Sequence, residues 1–324
     1  MKAPLDHERG LRRRFRYMSN LESDPREAVC GGEGAGEPEL LPGRDVVLGG
    51  TRGMRVTRTL PTAGRRMVGA WCFADAYGPE PAAMTVPPHP HTGLQTVSWL
   101  VEGEVLHRDT LGSEQVIKPG QLNLMTAGRG IAHSEESEYG RLHGAQLWVA
   151  LPDAARHTAP AFEHHPDLPE LTEPGCSVTV LLGELAGLTS PATAHTPIVG
   201  AEIVVSAPSR LPLKPAWEYA ALVLSGTAEV AGTVLEPGPL LYLGAGRSSV
   251  DLAGDARLLL LGGEPFEERI VMWWNFVGRS HDEIVEFRRS WGEGALGPVP
   301  GYDGDPLRAP ELPSLRLKPR GRVR

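Results

Sequence analysis

Two short motifs in this 324-residue chain place groups that could hold a metal ion. His89-Pro90-His91 sets two imidazoles two positions apart, and His133-Ser134-Glu135 repeats the spacing with an imidazole and a carboxylate. In an extended segment residues i and i+2 leave the backbone on the same face, so each couple aims two donors in one direction. Three imidazoles and a carboxylate suit Fe, Ni, Mn, Cu or Zn and leave positions open for solvent or substrate. Pro90 has no N–H to donate, which fits an edge strand or a strand start and stiffens the first couple. A lone His-x-His is commonly two ordinary polar residues. The second couple, behind the Gly-rich stretch Ala127-Gly128-Arg129-Gly130, is what argues for a site.

Such couples need neighbouring strands, and the chain reads as β throughout. Its 39 glycines and 30 prolines are scattered, with no repeat, and punctuate short apolar runs. Residues 45–48 read as a first strand before a Gly-Gly turn. Strands follow over 94–101, 105–108, 122–125 and 145–149, separated by turns such as Glu102-Gly103 and Lys118-Pro119-Gly120. A second β region over 176–261 has its clearest strands at 220–224, 228–230 and 240–243. The one helix begins at Ser280 as N-cap, with Glu283 in a capping-box pattern, and stops at Gly292. Ala127-Gly128-Arg129 recurs as Ala245-Gly246-Arg247, and Val101-Glu102-Gly103 finds Leu224-Ser225-Gly226, so two copies of one β-barrel are the economical reading. The expected plan is an extension over 1–40, a metal-binding barrel over 41–151 and a Pro- and His-rich crossing over 152–175. A second barrel follows over 176–265, then the helix and a Pro-rich tail over 266–324.

The formal net charge of -8 disfavours a nucleic-acid-binding face. Only the ends are basic, Arg12 to Arg16 and Arg316 to Arg324, and such runs read as solvated tails. Cys30, Cys72 and Cys176 are odd in number and without motif spacing, which implies free thiols in a reducing compartment. No apolar run approaches a membrane span. A cytoplasmic protein is expected, without direct nucleic-acid binding and without a membrane partner.

Pro88-His89-Pro90-His91-Thr92-Gly93, Glu102-Gly103-Glu104-Val105, His107-Arg108-Asp109 and the run from Met125 through His133-Ser134-Glu135 together resemble the signature of the pirin family. The flanks Arg65-Arg66-Met67-Val68-Gly69 and His143-Gly144-Ala145-Gln146-Leu147-Trp148-Val149 fit as well, and the similarity covers roughly residues 42–290. The resemblance implies an all-β bicupin, two jelly-roll-type barrels in tandem, with metal ligands at His89, His91, His133 and Glu135. The general cupin pattern has a ligating Glu four residues after His-x-His. Gln95 stands there, and in pirin-like proteins Glu135 supplies the carboxylate instead. Matching the repeat puts Pro212, Lys214 and Asp251 where the second copy would need ligands, so that copy is expected to hold no metal.

Two activities follow from the resemblance. One is a quercetinase, a dioxygenase that opens a flavonol such as quercetin with molecular oxygen. Its cofactor would be one divalent transition metal, iron favoured, with Glu135 also the candidate base. The alternative is a non-catalytic metal- or redox-sensing protein that regulates a transcription factor or metabolic enzyme partner. Other residues stay open between roles. His107 is a donor that supports a ligand from the pocket wall or a core histidine; Gln146, Gln95 and His143 are pocket candidates, with Gln146, in mid-strand, better placed than His143. Arg129 reads as a loop anchor, His164-His165 as solvated, and Trp273-Trp274 as an apolar clamp.

Overall fold

In the computed structural model, residues 36–47, 54–81, 84–138 and 140–323 are described, and all lie in one compact unit. Cys30 and the basic run from Arg12 to Arg16 fall outside them. Among the described residues the chain opens on β1 (Glu39–Leu41), and the first domain uses β2 (Arg44–Val47), β3 (Arg55–Leu60), β4 (Trp71–Pro81), β5 (Met84–His91) and β6 (Leu94–Glu102). It continues with β7 (Val105–Asp109), β8 (Glu114–Ile117), β9 (Leu122–Thr126), β10 (Ile131–Ser137), β11 (Arg141–Ala150) and β12 (Ala161–His165). A four-stranded sheet ordered β5-β10-β7-β8 faces a seven-stranded sheet ordered β12-β9-β6-β11-β4-β3-β2. The expected barrel is therefore a jelly roll with open seams. Pro87, Pro88 and Pro90 help explain one seam, because a strand missing those N–H donors is suited to a sheet edge, where β5 lies.

The second domain contains β13 (Glu170–Glu173), β14 (Cys176–Leu185), β15 (Leu188–Thr189), β16 (Ile198–Val205), β17 (Ser209–Pro212), β18 (Glu218–Val230), β19 (Thr233–Leu235), β20 (Leu240–Gly244) and β21 (Ser249–Gly263). These strands and β1 form one ten-stranded sheet. Thus β1, which contains the last two residues of the expected extension, pairs with β20 of the other domain. The expected crossing is also partly strand, since β12 pairs β9 and β13 pairs β14. The repeat shows in the turns. Gly103 and Gly226 have φ of 89° and 78°, and a Cβ on either would stand 2.4 Å or less from a carbonyl oxygen of the facing strand.

The outer face of the seven-stranded sheet packs on the second domain. Trp71 is fully buried and its indole N–H donates to the carbonyls of Val199 (2.9 Å) and Gly262 (3.2 Å). Trp99 donates to Glu202 at 2.8 Å, and Gly69 N–H donates to the buried Glu218 at 2.6 Å. After β22 (Val271–Trp273) and β23 (Phe276–Gly278) comes α1 (His281–Gly292), capped by Ser280. Glu283 completes only half of a capping box: its N–H bonds Ser280 Oγ, but its carboxylate accepts from Arg279 N–H, one residue before the cap. Trp273 and Trp274 pack with Phe287, Trp291, Leu312 and Leu317, so their clamp grips the helix and the tail. Arg316, Lys318 and Arg320 of the tail are exposed, but the tail is tied to the fold at other points. Arg322 bonds Glu218 at 2.8 Å, its carbonyl accepts from Arg66 N–H, and Leu307 N–H donates to the Pro88 carbonyl. Cys72 and Cys176 are buried free thiols, and burial pushes Cys72 up to about 12. No helix among the described residues is long and apolar enough to cross a membrane.

Candidate metal centre

The antiparallel pairing of β5 with β10 sets His133 directly opposite His89, with His91 one i+2 step along the same face. The three rings meet. Their centroids are 5.0 Å apart for His89–His91, 4.4 Å for His89–His133 and 5.1 Å for His91–His133. One potential ligand atom from each lies within 4.8 Å of the others, a group that can hold a metal ion. All three are buried, and burial pulls His89 down to about 4 and the other two well below the usual histidine range. They are therefore neutral near pH 7, the form that offers a lone pair. Nδ1 of His91 and Nε2 of His133 are buried without a hydrogen-bond partner among the described residues, which is costly unless something else satisfies them. The donor set fits a divalent transition metal.

Glu135 lies beside this group, not within it. A β-bulge in β5 lies opposite this step, two residues of β10 spanning three of β5, while β10 stays in regular register with β7, so His133 and Glu135 leave β10 on one face. Glu135 Oε1 accepts from Ser98 Oγ at 3.4 Å. Burial raises its pKa.

His107 lies between His133 and Asp109. Its Nε2 is 3.1 Å from Asp109 Oδ2 and its Nδ1 is 3.3 Å from His133 Nδ1. Asp109, which also accepts from the N–H groups of Leu111 and Ser113, has its pKa lowered: burial pushes it up, but the His107 and Ser113 hydrogen bonds outweigh that. An ionised carboxylate only accepts, so His107 carries its proton on Nε2 and receives one from His133 Nδ1–H. That assignment leaves His133 Nε2 as a free lone pair. Phe162 of β12 stacks on His107 at 4.4 Å and holds the ring in place. Asp109→Asn should weaken divalent-metal affinity by about 10–100-fold, read by competition with a chelator. An unchanged affinity would reduce the chain to packing.

Gln146 faces the site and accepts from Ser98 Oγ at 2.9 Å. Gln95 does not: it lies one residue out of phase and donates to Thr126 Oγ1 and to the Thr193 carbonyl of the second domain. His143 likewise faces that domain, against the Leu224 carbonyl. His164 and His165 are half-buried and bonded to Asn123 and Glu163, so the solvated reading fails for both. The Arg129 loop is anchored by its backbone N–H on Thr158, while the side chain is exposed. Sequence reasoning missed Ser98, Asp75 and Arg58. Asp75 carried a signal, a carboxylate in the middle of the apolar strand Trp71-Cys72-Phe73-Ala74-Asp75-Ala76-Tyr77. In the second domain Lys214 pairs Glu184 and Asp251 pairs Arg210, all on the surface.

Two cupin folds in tandem, with a buried histidine cluster in the first, define a bicupin. The pirin model matches residues 53–149 and the pirin C-terminal cupin domain matches residues 200–297. The chain is 49% identical over 273 residues to a Pseudomonas aeruginosa protein named "Putative quercetin 2,3-dioxygenase", covering 81% of this chain and 87% of that one. A Caulobacter vibrioides pirin-like protein is 37% identical over 274 residues, 79% of this chain and 94% of the other. Among solved structures, quercetin 2,3-dioxygenase from Acinetobacter baumannii superposes with a TM-score of 0.83 at 42% identity, covering 86% of this chain and 97% of its own. This chain belongs to the pirin family.

Proposed function

We propose that this protein is a metal-dependent dioxygenase that opens the ring of a flavonol such as quercetin, with the substrate bound at the His89, His91, His133 and Glu135 site. The carrying observation is the convergence of three buried, neutral imidazoles beside a buried carboxylate. Its support is the likeness to proteins named for that activity. A divalent metal, iron in the first instance, held by these residues would act as a Lewis acid that acidifies a bound hydroxyl. His89 is fixed by its Nδ1 contact with the Pro87 carbonyl at 2.9 Å, which turns Nε2 inward. Glu135 takes the hydroxyl proton on its carboxylate. Its raised pKa makes it a stronger base than an exposed glutamate, and Ser98 holds Oε1 in position. Burial of the three histidines and of Glu135 keeps bulk water away from both groups.

Protein loaded separately with iron, nickel, manganese or copper should bleach quercetin only when oxygen is present, with carbon monoxide and the ring-opened product appearing together. Glu135→Gln should lower kcat by roughly 10²–10⁴-fold. If no metal form turns over quercetin, the dioxygenase reading falls and a non-catalytic binding role replaces it. Bleaching without carbon monoxide would be autoxidation.

A further inference from the structure

The seven-stranded sheet presents an ordered polar row to the metal centre. Ser98 on β6, Gln146 on β11, Asp75 on β4 and Arg58 on β3 are successive cross-strand partners, so their side chains leave the sheet on one face. Ser98 touches Glu135, which identifies that face as the one turned to the site. One step along, Trp148 and Phe73 are also partners on this face. Trp148 lies edge-on to His91 at 5.1 Å, and its ring stacks on Phe73 at 4.0 Å. A polar row thus runs beside an aromatic one. Three strand spacings of about 4.8 Å give the polar row a reach of about 14 Å.

Its outer end is a salt bridge that a core does not need. Asp75 is fully buried and takes two 2.7 Å bonds from Arg58, whose guanidinium also lies 4.3 Å over the Phe73 ring. Desolvating such a pair is costly, and an apolar pair of similar volume is often as stable. Gln146 has its oxygen occupied by Ser98 and its NH2 without a partner among the described residues, on a side chain that keeps some exposure. Arg58 also forms part of the wall of a 1090 Å³ surface groove with Arg44, Arg66, Lys318 and Arg320, a setting that attracts anionic or phenolic groups. We infer that Gln146 and the Arg58–Asp75 pair read the hydroxyl pattern of a planar polyphenol whose other end sits at the histidines, with Trp148 and Phe73 as the apolar wall beside it. This deepens the dioxygenase reading and rests on it.

An anaerobic titration of the metal-loaded protein with two ligands tests the inference. Quercetin carries hydroxyls on all its rings, whereas 3-hydroxyflavone keeps only the chelating end. Gln146→Met and the double change Arg58→Met with Asp75→Leu, which leaves no lone buried charge, should each weaken quercetin about tenfold. Both should leave 3-hydroxyflavone within about twofold, with metal content unchanged. Equal losses for the two ligands would mean a structural role, and no loss for either would mean no contact; each overturns the inference while sparing the dioxygenase reading. If the unaltered protein binds neither ligand, both fall. Should the double variant not fold, Gln146→Met decides alone.

Discussion

His133→Ala should take the protein from one divalent metal per chain to essentially none by elemental analysis. His133 is the centre of the cluster: it faces both other histidines, and its far nitrogen is tied through His107 to Asp109. Removing it deletes one of three imidazoles and unties the chain that fixes the proton. Metal that binds only the folded state adds stability by mass action, about 2.7 kcal/mol at a hundredfold excess over Kd. The Tm of the unaltered protein should therefore rise with added metal, and that of the variant should not. His133→Gln, closer in volume, guards against a simple packing defect. Gln95→Ala is the control, because Gln95 points to the second domain and should leave metal content intact. Full metal occupancy in both His133 variants would overturn the assignment.

What a linear reading reaches here is whatever depends on short spacing. The i, i+2 couples locate the three histidines because β5 and β10 are extended, and the Pro-rich run of β5 correctly marks an edge. The same spacing puts Glu135 on the face of His133, but the bulge in β5 opposite that step is announced by no local residue. Gln95 illustrates the parity problem. A residue one position out of phase on a buried strand leaves by the opposite face, and phase is visible only once a partner strand is known. The polar row is less legible still. Arg58, Asp75, Ser98 and Gln146 come from four strands and acquire meaning through register, a long-range property. The tail was equally hidden, since Arg322 matters because it reaches a carboxylate buried in the second domain.

Trp71→Ala should cost about 3–5 kcal/mol of stability, as expected for emptying a fully buried tryptophan site. The loss has two sources. The ring fills the space above Gly200, where an added Cβ would stand 2.7 Å from Cζ2, so the fit is close. The carbonyls of Val199 and Gly262 would also lose their shared donor. Denaturant unfolding of the metal-loaded protein reads the change, with Trp71→Phe separating the lost N–H from the lost volume. A shift below about 1 kcal/mol for Trp71→Ala would mean that the interface tolerates collapse at this point. The consequence for the site differs from that of His133. Trp71 begins β4, whose opposite face presents Phe73 and Asp75, while the histidines stand on the facing sheet. Loosening β4 should leave metal content near its full value and weaken flavonol binding. The second domain is then a backing plate: it holds the sheet that carries the polar row at a fixed distance from the metal centre.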